Sequence, residues 1–154
     1  MTPEQFRDFI TPYTNFIGNR PLDAALEADL NTTFPANGLL FSAIENVCQD
    51  AIAAGWMCNR EAGGIKFGRV LKPSPETRGF SVDVVDMQDV KGPHHRHPRG
   101  EIDLIMPLTP DAKFDGRGAG WLVYGPDTAH NPTVTSGRAR VLYLLPEGAI
   151  EFTK

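Results

Sequence analysis

Three of the four histidines in this 154-residue chain fall within one short stretch, Gly92-Pro93-His94-His95-Arg96-His97-Pro98-Arg99-Gly100-Glu101, and the fourth, His130, comes later. The core of that stretch reads His-x-His-x-x-x-Glu. Imidazole and carboxylate together suit zinc, iron, manganese, nickel or copper, and a mixed nitrogen and oxygen set does not choose among them. On a strand, His95 and His97 point to one face, because side chains alternate. A turn through Pro98-Arg99-Gly100 then returns Glu101 to their side, and His130 closes the site from a later strand. His95, His97, Glu101 and His130 are therefore the expected metal ligands. His94 falls on the opposite face and is expected behind the ligands or at the surface. The competing reading is a basic, solvated turn that binds nothing. Two histidines at strand spacing, a carboxylate after a turn and an isolated downstream histidine together favour the ion.

Such ligands need rigid elements to hold them. Up to about residue 55 the chain reads as helical, with apolar residues recurring at helical spacing. A short helix is expected over Pro3 to Ile10, a second over Pro21 to Leu30, and a longer one from Gly38 to Ala54 with Gly55 as its stop. From Trp56 onward the period changes to two. Ile65 to Leu71, Phe80 to Val90, Glu101 to Leu108, Gly120 to Tyr124 and Arg138 to Leu145 read as strands, and Ala149 to Phe152 as an edge. Short strands between Gly- and Pro-rich turns argue for a sandwich or barrel. The expectation is a mainly β protein forming one domain over residues 1–154, with a helical segment at 1–55 packed on a barrel formed by 56–154.

Composition narrows the classes of partner. A net charge of −4 and a pI near 5.5 leave no basic patch for nucleic acid. No apolar run approaches the roughly 20 residues that span a bilayer, and no secretory signal is visible at Met1-Thr2-Pro3-Glu4-Gln5. Cys48 and Cys58 do not form a CxxC pair and read as reduced, buried thiols. A cytoplasmic protein is expected.

The stretch Gly92 to Glu101 resembles the first motif of the cupin superfamily, a glycine followed by His-x-His and, three or four residues on, Glu. The run Gly125-Pro126-Asp127-Thr128-Ala129-His130 is similar to the second cupin motif, although it is one residue short and lacks the inner glycine. That resemblance implies a cupin-like β-barrel (a double-stranded β-helix) with His95, His97, Glu101 and His130 holding an ion inside it. It also implies a homo-oligomer, commonly a dimer. A narrower resemblance rests on Ala54-Gly55-Trp56-Met57-Cys58-Asn59-Arg60-Glu61, Ile65-Lys66-Phe67-Gly68-Arg69, the histidine cluster and Gly120-Trp121-Leu122-Val123-Tyr124-Gly125-Pro126. Together these look like the 4-hydroxylaminobenzoate lyase family. Membership implies conversion of 4-hydroxylaminobenzoate to protocatechuate (3,4-dihydroxybenzoate) with release of ammonia, in the breakdown of nitroaromatic compounds. The alternatives are another metal-dependent cupin enzyme, such as a dioxygenase, and a non-catalytic cupin that binds small molecules.

Given that substrate, an ion (Fe, Mn, Zn or Ni) would act as a Lewis acid on the hydroxylamino oxygen or would lower the pKa of a bound water. A small aromatic acid calls for a cation to meet its carboxylate, and arginine offers a bidentate fork. Arg69, Arg78 and Arg99 are the candidates, with Lys66 behind them and Arg99, in the turn between ligands, the more exposed. Arg69 shares a strand face with Ile65, Phe67 and Leu71, so it is expected to point inward. Glu101 and Asp103 share a face and are the candidates for acid–base work, Asp103 also as a group that orients a ligand histidine. Trp121 and Tyr124, with Phe67, are expected to wall an aromatic pocket, although aromatic residues on strands are more often core.

Overall fold

The computed structural model describes residues 1–153. Helix α1 spans Pro3–Ile17 and opens with a capping box in which Thr2 and Gln5 exchange side-chain and backbone hydrogen bonds. It runs a further seven residues past the expected end, with Pro12 inside it. Proline in a helix costs about 3 kcal/mol. Burial of Tyr13 and Ile17, which continue the stripe begun by Phe6 and Ile10, contributes about 1.5–3 kcal/mol each and wins. Helix α2 (Ala24–Thr33) starts on the Asp23 cap, and α3 (Leu39–Ala54) ends at Gly55 in the left-handed conformation, as the spacing predicts.

Among the described residues ten strands follow: β1 (Arg60–Ala62), β2 (Ile65–Leu71), β3 (Phe80–Lys91), β4 (His95–His97), β5 (Glu101–Pro107), β6 (Lys113–Phe114), β7 (Gly120–Tyr124), β8 (Thr128–His130), β9 (Thr133–Pro146) and β10 (Glu151–Phe152). They form two antiparallel sheets. The larger has the order β1-β2-β3-β9-β5-β7, with β6 also on β9, and the smaller has the order β10-β4-β8. The mainly β barrel with a helical N-terminal segment is therefore what the chain forms.

Alternation divides the large sheet into two faces. Val82, Val84, Ile102, Leu104, Trp121, Leu142 and Leu144 pack with the buried stripes of the three helices into one cluster. Met87, Ile105, Leu122 and Val141 face the other way, with Phe67 and Val85 against them. The helices also protect an edge. Strand β7 ends the sheet order, and α2 satisfies its backbone: Asn31 accepts from the Trp121 N–H at 2.8 Å and donates to its carbonyl at 2.9 Å, while Glu27 accepts from the Val123 N–H at 2.9 Å. Cys48 and Cys58 are both free and buried.

Candidate metal centre

The small sheet places the histidines. His95 on β4 pairs directly with His130 on β8, and His97 follows His95 at strand spacing on the same side. Glu101 comes from the first position of β5 in the large sheet, so the cluster bridges the two sheets. The intervening turn closes with the Gly100 N–H donating to the His97 carbonyl at 3.2 Å. Gly100 has φ +91°, and a Cβ there would lie 2.6 Å from the Tyr124 carbonyl oxygen, so only glycine brings Glu101 back beside the histidines. One ligand atom from each of His95, His97, Glu101 and His130 lies within 4.8 Å of the others.

Hydrogen bonding at the far side of each ring decides what these atoms can do. His95 Nδ1 faces the Pro93 carbonyl at 3.3 Å, a group that only accepts. His130 Nδ1 faces the Asp115 carboxylate at 2.6 Å. His97 Nδ1 lies 3.0 Å from the Thr128 hydroxyl, whose own proton goes to the Gly125 carbonyl at 2.8 Å, so Nδ1 donates here too. Each imidazole carries its proton on Nδ1, and all three Nε2 lone pairs converge. His95 Nε2 and His130 Nε2 are 3.1 Å apart, and Glu101 Oε1 is 3.4 Å from His97 Nε2. His97 Nε2 is buried and has no hydrogen-bond partner. Three lone pairs and a carboxylate facing one another repel unless a cation lies among them. The residues fit a divalent transition-metal ion.

The electrostatics agree with that fit. Burial, and then the neighbouring His130, lower His95 to about 4 and His97 to about 3, so both rings are neutral at pH 7 and ready to coordinate. Burial raises Glu101, and burial together with Glu101 raises Asp103 well above the usual carboxylate range. A cation beside Glu101 reverses this, because it favours the ionised carboxylate.

Asp115, just after β6, was hidden from sequence reasoning. Its carboxylate accepts from His130 Nδ1, from the Tyr124 hydroxyl at 2.5 Å and from the Thr133 N–H at 2.9 Å. Burial alone would raise it, but these hydrogen bonds hold it below its ordinary value. It fixes the His130 tautomer and ring plane, the usual task of a carboxylate behind a metal ligand. Only the Asp115-Gly116 turn signature was visible in the chain.

A cavity of about 190 Å³ opens above the cluster. Ile65, Phe67, Val85, Met87, Phe114 and Val141 line its walls, and His95, Glu101, His130, Asp103 and Tyr143 supply its polar surface. Phe152 also lines it while 67% exposed, which marks the mouth.

Four expected substrate contacts lie elsewhere. Arg69 does share the inner face with Ile65 and Phe67, but its Nε donates to both Asp83 oxygens, at 3.1 and 3.3 Å, and Nη2 to the Gly148 carbonyl at 3.3 Å. A buried carboxylate on the adjacent strand meets this cation first. The β2 register shifts between Arg69 and Leu71, so Leu71 leaves that face and packs with the helix-side core. Arg78 donates to Asn15 of α1, outside the cavity. Trp121 is core: three positions from Tyr124 on one strand, it points to the opposite face, where its Nε1 donates to the Phe34 carbonyl at 3.1 Å. Tyr124 stacks on His97 with centroids 5.4 Å apart, behind the cluster and not among the residues lining the cavity. His94 contacts Thr153 and lies outside the cluster.

The two antiparallel sheets, gathering three histidines and a glutamate between them, have a cupin-like fold. Solved structures with this outline include an RmlC-like cupin protein from Ralstonia eutropha JMP134, at 12% identity and TM-score 0.46 over 60% of this chain and 62% of that one. An oxalate oxidase in complex with the substrate analogue glycolate matches at 21% identity and TM-score 0.46, over 60% of this chain and 57% of that one. The chain thus spans about three fifths of those structures. A family model described as 4-hydroxylaminobenzoate lyase (PnbB) matches residues 8–152, and the chain belongs to that family. It is 30% identical to a 4-hydroxylaminobenzoate lyase of Nocardioides sp. (strain LMS-CY), over 98% of this chain and 95% of the relative. A second relative of that name, from Pseudomonas putida, is 28% identical over 88% of this chain and 87% of its own length.

Proposed function

We propose that the protein is a metal-dependent lyase that converts 4-hydroxylaminobenzoate to 3,4-dihydroxybenzoate and ammonia. The observation that carries this reading is the convergence of three unprotonated imidazole nitrogens and Glu101 on an apolar cavity, in a chain of this family. Cavities of about 150 Å³ take up benzene, so the space above the cluster suits a single aromatic ring. No lysine or arginine lines the cavity among the described residues. The ring therefore enters with its hydroxylamino group toward the cluster and leaves its carboxylate at the mouth.

The reaction consumes one water and releases one ammonia with no net redox change. A divalent ion held by His95, His97, Glu101 and His130 would supply Lewis-acid polarisation at the cavity floor. Asp103, buried beside Glu101, is placed to exchange a proton with the reacting water or with the departing nitrogen-bound oxygen. The apolar walls exclude bulk water, so the attacking molecule is one held at the polar floor. The test is turnover of 4-hydroxylaminobenzoate by purified protein whose metal content has been measured. Ammonia and 3,4-dihydroxybenzoate should appear in equal amounts, cease on chelation and resume when one of Fe, Mn, Zn or Ni is restored. Oxygen uptake with no ammonia would replace this reading with that of a dioxygenase.

A further inference from the structure

One row of paired residues crosses the inner face of the large sheet. Arg69 on β2 is opposite Asp83 on β3, Asp83 is opposite Tyr143 on β9, and Tyr143 is opposite Asp103 on β5. Asp83 is occupied by Arg69 and by the Ser81 hydroxyl at 3.3 Å. The other half of the row is not. Asp103 is 1% exposed, with the Glu101 carboxyl beside it and no hydrogen bond from any other described group reaching its oxygens. Tyr143, partly buried on the neighbouring strand, lines the cavity together with Asp103. A buried carboxyl that no donor of the fold reaches is rare and costly, so Asp103, with the Tyr143 side chain on the same cavity wall, points to a ligand that engages both.

We propose that Asp103 and Tyr143 form a second polar subsite of the cavity, next to the metal cluster, that grips a hydroxyl or hydroxylamino group on the aromatic ring. Tyr143 donates a hydrogen bond to the ligand's oxygen, and Asp103 exchanges one with the ligand's O–H or N–H. The chemistry selects a neutral group that both donates and accepts. A carboxylate fits this pair less well, because it would lie beside Asp103 while Glu101 already faces the ion, and no arginine or lysine among the described residues lines the cavity. The subsite thus sets which end of the substrate goes in first, and it holds the catechol product by its hydroxyls. This assignment rests on the aromatic-substrate reading of the cavity.

The test compares two probes on the metal-loaded protein, 3,4-dihydroxybenzoate and benzoate, by calorimetric titration of wild type, Tyr143→Phe and Asp103→Asn. Tyr143→Phe should weaken 3,4-dihydroxybenzoate about tenfold, the scale of one lost hydrogen bond, and leave benzoate unchanged. Metal content and melting temperature should match wild type, and turnover should show a raised KM. Asp103→Asn keeps the shape and should retain part of the discrimination. Equal weakening of both probes, or of neither, would overturn the subsite. Probe discrimination that depends on Tyr143 in a protein with no lyase turnover would uphold the subsite and remove the proposed reaction instead.

Discussion

Replacing Asp115 by Asn tests whether the three imidazoles are arranged for an ion or merely packed. One Asp115 oxygen accepts from both His130 Nδ1 and the Tyr124 hydroxyl, and the other accepts from the Thr133 N–H. Asparagine has one acceptor oxygen, so in either orientation its NH₂ faces a donor. If the NH₂ faces Thr133, a backbone bond is lost and the ring of His130 keeps a neutral amide oxygen in place of the carboxylate. If it faces the rings, the His130 tautomer is no longer imposed and Nε2 can take the proton, which removes it as a ligand. One charge-assisted hydrogen bond is worth about 1.5–3 kcal/mol, and loss of a carboxylate behind a ligand histidine typically lowers metal affinity about 10–100-fold. The two ranges agree, since a factor of ten corresponds to about 1.4 kcal/mol. Competition titration against a chromogenic chelator measures the affinity, and denaturant unfolding of the ion-free protein separates out the effect on folding. Asp115→Asn is expected to bind the ion at least tenfold more weakly while remaining folded. Wild-type affinity in a folded variant would refute the tautomer argument, and with it the claim that the lone pairs converge by arrangement.

Three other outcomes are expected. His97→Ala removes the fully buried, partnerless Nε2, so elemental analysis should find no retained ion and turnover should be lost. His94→Ala should keep its metal, because His94 lies at the surface against Thr153; an ion loss equal to that of His95→Ala would overturn the strand register. Arg69→Met breaks the pair with the largely buried Asp83. It should cost about 1–2 kcal/mol in denaturant unfolding, partial exposure of Arg69 limiting the loss, with KM unchanged. A strongly raised KM at unchanged stability would return Arg69 to the substrate.

The local signals were legible because they depend on neighbours in the chain. His-x-His on a strand shares a face by alternation alone, and Gly100 can make the return to Glu101 whatever surrounds it. The expected limits of β2 match the structure, and those of α3 differ by a single residue, because glycine and proline turn residues flank both closely in the chain. The short strands β1 and β6 carry too few residues to show a period, and Pro12 obscured the second half of α1.

Partnership was another matter. The chain by itself determined which residues could bind an ion and on which strand faces they lie, since both follow from residue type and a fixed repeat. Only the tertiary structure decided that Arg69 is held by Asp83, that Trp121 faces the helices while Tyr124 stacks on His97, and that Asp115 orients His130. Each of these turns on which oppositely charged, apolar or hydrogen-bonding group is brought nearest by a distant segment. Alternation states that a side chain points inward, but the register of the next strand sets what it meets there.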